Sequence, residues 1–250
     1  MRRFWATILC GAMLGVVTTQ AAVIVSNTWD DAGDGLQEWA IDPGHGSLSR
    51  ESWGGDGFLR IDGPADPQPT HADFVYSSGV DSGLIGDWSA MGADPGKEVR
   101  SIRFDFYADA GGAVDHPTAL RLYFQGGTDL WYYSLDVESL SSGWNFLYAN
   151  INAESPSNLY GGTWWTEGAG LNWAADFGSV SEVGLWLAYQ SGAGYESQIY
   201  GIDNFELHDQ IYIPEPGTWL MLGFAFLSMA VTFRKRLEGL AAQAWARVRA

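Results

Sequence analysis

Hydrophobic and polar residues alternate with a period of two through much of the chain between Val23 and His208. Such alternation marks strands that bury one face. Ile102, Phe104 and Phe106 alternate with Arg103, Asp105 and Tyr107, and Leu120, Leu122 and Phe124 with Arg121, Tyr123 and Gln125. Trp144, Phe146 and Tyr148 alternate with Asn145, Leu147 and Ala149. Val183, Leu185, Leu187 and Tyr189 do the same against Gly184, Trp186 and Ala188. In each segment the first set is the expected core face. Clusters such as Asp109-Ala110-Gly111-Gly112 and Gly126-Gly127-Thr128-Asp129 supply turns between them. Short strands divided by turns predict an all-β fold, an antiparallel two-sheet sandwich over residues 23–209.

Both ends depart from this pattern. At the N-terminus, Arg2-Arg3 precede the apolar run Phe4 to Val17 and the small-residue segment Thr18-Thr19-Gln20-Ala21-Ala22. That order predicts a secretory signal peptide over residues 1–22, and hence Sec-type export. Cys10, the single cysteine, lies inside it, so the exported body has no disulfide to form. At the other end, Ile213-Pro214-Glu215-Pro216-Gly217 can sustain neither helix nor strand. Gly217 to Phe233 then runs 17 residues without a charge. As a helix it would span about 25 Å, close to the thickness of a bilayer core. Trp219 and the Arg234-Lys235-Arg236 cluster are its interfacial anchors. The cluster places the C-terminal side in the cytoplasm and the body on the periplasmic side of the inner membrane. Leu237, Leu240, Ala241, Ala244, Trp245 and Val248 then fall at helical spacing. They predict a short cytoplasmic amphipathic tail over residues 237–250.

Charge separates the parts further. The whole chain carries a net charge of −17, but the stretch from Ala22 to Ile213 holds six basic and 28 acidic residues, a net charge of −22. That acidity excludes a nucleic-acid partner, which would need a basic footprint. A divalent cation or an extracellular polymer is the partner such a body meets more readily.

Pro214-Glu215-Pro216, a single hydrophobic span and a basic cluster in that order resemble the PEP-CTERM sorting signal, here residues 210–236. The same tail is also catalogued as an ice-binding protein C-terminal domain, a label that carries no expectation of ice binding. The resemblance implies recognition of Pro214, Glu215 and Pro216 by an exosortase. It also implies a setting of exopolysaccharide export, with the protein moving from the inner membrane to the cell surface or medium. The body resembles a galactose-binding-like or carbohydrate-binding-module jelly roll. Three pieces carry this: Trp29-Asp30 with Gly35 and Trp39, the segment Val180 to Leu185, and the closing run Tyr200-Gly201-Ile202-Asp203-Asn204-Phe205-Glu206-Leu207.

Nothing in the chain carries a catalytic signature. There is no Gly-x-Ser-x-Gly, His-Glu-x-x-His, phosphate loop or dinucleotide fingerprint. His45, His71, His116 and His208 are scattered beside turns or termini and read as ordinary exposed side chains. No catalytic residue is therefore assigned, and the body is expected to be non-enzymatic. Trp164, Trp165 and Trp173 lie in a Gly/Ser/Asn-rich stretch outside any clear strand. Exposed, such rings stack on a pyranose face; folded back, they cover a sandwich edge. The resembled fold often holds one structural Ca²⁺, which here would implicate Asp30 or Asp31 with Asp203. Alternatively these acids cap turns, and Asp203-Asn204 marks a bulge where alternation slips. The sequence thus predicts an exported, non-catalytic surface or matrix protein associated with exopolysaccharide. The alternatives are a lectin-like module and a secreted polysaccharide-degrading enzyme using an acid pair.

Overall fold

The computed structural model describes residues 22–213 apart from 32–34, 44–45, 66–71, 93–96, 109–115, 128, 158–161, 168–171 and 191–197. The signal peptide (save Ala22), Pro214-Glu215-Pro216, the apolar span 217–233, Arg234-Lys235-Arg236 and the tail 237–250 lie outside the described residues. Among the described residues no helix is long and apolar enough to cross a membrane. All of them but Ile213 fall in one compact unit, Met1–Tyr212.

Alternation becomes twelve strands among these residues. They are β1 (Val23–Asn27), β2 (Trp39–Ile41), β3 (Ser47–Trp53), β4 (Asp56–Asp62), β5 (Ala72–Ser77) and β6 (Ser101–Ala108), followed by β7 (Ala119–Gly126), β8 (Asp129–Leu135), β9 (Gly143–Asn150), β10 (Trp165–Thr166), β11 (Val180–Ala188) and β12 (Ile199–His208). A single described α-helix, α1 (Trp173–Phe177), precedes β11. The strands form two six-stranded antiparallel sheets, as the alternation predicts. One has the order β3-β4-β12-β6-β9, with β1 also on β12; the other runs β10-β8-β7-β11-β5-β2. First and last strands pair, and apart from the β3–β4 and β7–β8 hairpins most sequence neighbours are split between sheets, giving an all-β jelly-roll sandwich.

β12 organises the first sheet. β6 pairs along one edge of it, while β4 takes Ile199–Ile202 and β1 takes Phe205–His208 on the other. Between these two partners the register slips from Asp203 to Glu206, with Asn204 at φ +49°. This is the bulge read as one alternative for Asp203-Asn204, and asparagine tolerates its left-handed backbone.

The inner faces are those expected in three of the four strands singled out. Ile102, Phe104, Phe106, Leu120, Leu122, Phe124, Val183, Leu185 and Leu187 are buried. β9 reverses the expectation. Trp144 and Phe146 are 40% and 50% exposed, and Leu147 and Ala149 face the core instead. Pairing with β6 fixes this: Tyr107 lies opposite Trp144 and Asp105 opposite Phe146, whereas buried Phe104 lies opposite Leu147. Opposed residues share a face, so register overrides the size of the side chains.

Candidate functional site

Burial of Phe104, Phe106 and Ile102 inside the sandwich forces Arg103, Asp105 and Tyr107 onto the outer face of the first sheet. The pairings place Trp144 and Phe146 from β9, Gly201 and Asp203 from β12, and Phe58 from β4 on that same face. Trp53 and Asp56 oppose each other across the turn joining β3 to β4. Gly54 and Gly55 adopt φ of +71° and +110° there, which only a tight two-residue reversal requires. The turn carries Trp53 beyond the sheet, and it is 63% exposed.

These side chains enclose a cleft of about 440 Å³, with Trp53, Phe58 and Trp144 as aromatic walls and Asp56, Asp105 and Asp203 as acidic lining. The Trp53 and Tyr107 rings stand edge to face at 5.7 Å, Tyr107 and Trp144 at 5.5 Å, and Phe58 and Trp144 at 5.5 Å. Gly201 permits this crossing of β12. A Cβ there would lie 3.1 Å from atoms of Phe58, Tyr107 and Trp144 at once. Further along β9, Phe146 and Tyr148 continue the strip with Tyr212, whose ring lies 5.2 Å from Phe146 and 4.3 Å from Tyr148. Asn150 fixes Tyr212 by donating to its carbonyl and accepting from its N–H.

Asp203 is the electrostatic outlier. Burial pushes its carboxyl up to about 6, and the charges of Asp30, Asp105 and Asp56 add to that, against a backbone hydrogen bond from Asn204. The Asn204 side-chain amide also donates to Asp105 at 2.9 Å and to Asp203 at 3.3 Å. A carboxyl raised in the fold holds a proton that the unfolded chain has already lost. Stability therefore falls as pH rises from the ordinary 3.8 towards about 6. Asp203→Asn should match the wild type near pH 4 and exceed it by about 1 kcal/mol above pH 7, once solvent screening is allowed for. Denaturant melts at both pH values check this; no gain at the higher pH counts against it.

The residues singled out from sequence are dispersed. Trp164 and Trp173 are 1% and 5% exposed and belong to the core. Their indole N–H groups donate to the carbonyls of Asn150 and Asn152, at 3.0 and 2.8 Å. As glycan platforms both are corrected: the loop folds back over the sandwich. Trp165 is half-buried on the outer face of the second sheet, beside Tyr132 and with the Arg121 guanidinium 4.9 Å from its ring. Asp30 and Asp31 are exposed, and the Asp30 carbonyl accepts from Arg50 at 2.9 Å. Among the described residues no group of three or more His, Cys, Asp or Glu is placed to hold a metal ion. Asp30 lies near enough to Asp203 for its charge to raise the Asp203 carboxyl. His208 is buried rather than exposed, with Nε2 2.8 Å from Glu206. His116 is half-buried, and His45 and His71 lie outside the described residues.

Sequence reading missed Trp53, Phe58 and Trp144. A tryptophan directly before Gly54-Gly55 was the available signal, since a residue at a hairpin tip has no opposing sheet to cover it.

No protein-family model matches the chain, and no curated protein matches it. Similar solved structures include the family 11 carbohydrate-binding module from Clostridium thermocellum, in complex with a β-1,3-1,4-mixed-linked tetrasaccharide. It is 15% identical with a TM-score of 0.46, over 76% of this chain and 99% of that one. Another is CBM27-1 of Caldicellulosiruptor saccharolyticus, in complex with mannohexaose. It is 8% identical with a TM-score of 0.42, over 75% of this chain and 98% of that one. Likeness at this level assigns no ligand to the chain.

Proposed function

We propose that the outer face of the first sheet binds polysaccharide and that the protein is a non-catalytic carbohydrate-binding module. The observation that carries this is the shared cleft in which Trp53 and Trp144, both substantially exposed, stand beside Asp56, Asp105 and Asp203. Large rings left in water on a folded domain mark an interaction surface. Flat aromatic surface stacks on the apolar face of a pyranose, and carboxylates accept from its hydroxyls. Trp144 and Tyr148, four residues apart in β9, are separated by about 14 Å along the strand, so the strip accommodates several sugar units.

A hydrolytic role is less well supported. Two carboxylates would have to flank a scissile bond, whereas Asp105 and Asp203 sit side by side on adjacent strands and accept from one Asn204 amide. The sequences of residues 1–22 and 210–236 support delivery of this face to the cell exterior, where exopolysaccharide is the polymer it meets. The exported, membrane-held and exosortase-processed reading rests on those sequences alone.

Titration calorimetry of the full chain against a panel of soluble β-glucans tests the binding role. Trp53→Ala and Trp144→Ala should each weaken binding about tenfold or more, with little change in melting temperature. Trp165→Ala, on the other sheet, should leave affinity unchanged. Absence of binding to every glycan, or binding indifferent to both cleft substitutions, would overturn the proposal.

A further inference from the structure

The charge in the cleft narrows the kind of sugar it fits. Three of its lining residues are carboxylates and none is a cation. Nearby arginines are engaged elsewhere. Arg60 grips Asp62 through Nε and Nη2, and Arg50 donates to the carbonyls of Trp29 and Asp30. Arg103 donates to Ser101 and to the Gln210 carbonyl. Asp105 and Asp203 stand directly opposite each other on β6 and β12, an arrangement that destabilises a sheet when both are charged. A neutral amide from Asn204 bridges them, supplying hydrogen bonds but no positive charge. Asp30 adds its charge from the segment after β1.

The aromatic walls act in the same direction. Phe58 and Trp144, which both line the cleft, stand at an interplanar angle of 83°, so its walls present aromatic faces of differing orientation. Aromatic faces attract a cation through their quadrupole, more strongly where water is partly excluded. Rings together with carboxylates are the composition that holds an ammonium group.

We propose that the cleft selects an amino-sugar polymer, whose ammonium groups enter between Trp53, Trp144 and the carboxylates of Asp56, Asp105 and Asp203. This rests on the binding role proposed above and adds the charge of the ligand. A neutral glucan stacks on the same rings but leaves the carboxylates uncompensated. A uronate chain adds like charge to them and is discriminated against.

The test is calorimetry of the full chain with four β-1,4-linked hexamers, of glucosamine, glucose, N-acetylglucosamine and glucuronate, at about pH 6, where the glucosamine amines are largely protonated, and at two salt concentrations. The glucosamine hexamer should bind about tenfold more tightly than the glucose and N-acetylglucosamine hexamers. Glucuronate should be weakest, and the preference should shrink at high salt. A combined Asp56→Asn and Asp105→Asn variant should lose the preference while still binding the glucose hexamer. Asp129→Asn with Glu154→Gln, which removes the same charge elsewhere, should keep it. Equal affinity for the glucosamine and glucose hexamers overturns the selectivity and leaves the binding role standing. So does a preference that survives in the cleft variant or disappears in the remote one. Binding of none of the four overturns the selectivity, and the β-glucan panel above then decides the binding role separately. Should the cleft variant fail to fold, the ranking of hexamers by the unaltered chain still decides.

Discussion

Trp164→Ala should destabilise the sandwich by about 3–5 kcal/mol, the range for emptying a large aromatic site in a packed core. Trp164 is 1% exposed and lies against Phe124 and Tyr133 at 5.3 and 5.4 Å, with Trp173 at 6.2 Å. Phe124 is the hub of this cluster, touching Trp88, Trp173 and Phe177 as well. Truncation removes that packing and also the indole donor of the Asn150 carbonyl, which adds the cost of an unmet hydrogen bond. Trp165→Ala is the neighbouring comparison. Its ring loses the Tyr132 contact and the Arg121 guanidinium, together worth about 1 kcal/mol at a partly solvated site. Denaturant unfolding of both variants gives the difference. If Trp164→Ala melts like the wild type but loses glycan affinity, the core placement is wrong and the loop tryptophans are the platform after all.

How far the sequence discloses the molecule depends on which interaction decides each residue. Strand positions were legible because period two follows from backbone geometry: β6, β7 and β11 appear where alternation puts them, with the expected faces inward. The bulge at Asp203-Asn204 was legible for the same reason, since alternation breaks there. β9 was not, because Trp144, Phe146 and Tyr148 outweigh Asn145, Leu147 and Ala149 in hydrophobicity. Choosing the larger set as core fails when a strand is built to expose its rings, and functional sites are where local rules are expected to fail. Trp164 and Trp173 failed in the opposite sense. Residues without strand periodicity can still be core when a connection folds over the sandwich edge, and that is a long-range fact. The cleft itself joins β3, β4, β6, β9 and β12, positions up to about 150 residues apart, so only the sheet order could assemble it. The net charge of −22 between Ala22 and Ile213 did foreshadow its sign, though not where that charge gathers around aromatic rings.

Gly57→Ala should damage fold and cleft together, costing about 3 kcal/mol or more and abolishing glycan binding. β1 ends at Asn27, and the following Trp29-Asp30 segment passes directly over Gly57 near the start of β4. A Cβ on Gly57 would lie 1.6 Å from the Trp29 carbonyl oxygen and 2.7 Å from Arg50 Nη2. Neither a rotamer change nor a small shift relieves an overlap with backbone. The segment must lift, which breaks the 2.7 Å bond from Arg50 Nε to the Trp29 carbonyl. Trp29 itself is fully buried, 5.9 Å from Trp39, whose ring in turn packs on Phe205 at 5.0 Å. Displacing it opens the core beside the bulge that presents Asp203. Gly57 also lines the cleft between Asp56 and Phe58, so the same displacement moves two of its walls. Gly54→Ala is the comparison with backbone strain but no steric overlap. Its Cβ would meet nothing within 4 Å, and only its φ of +71° is strained, a cost of about 1–2 kcal/mol. A Gly57→Ala protein as stable as Gly54→Ala, with its glycan affinity intact, would show that the Trp29-Asp30 segment is not seated on β4 and that the cleft is not built on that contact.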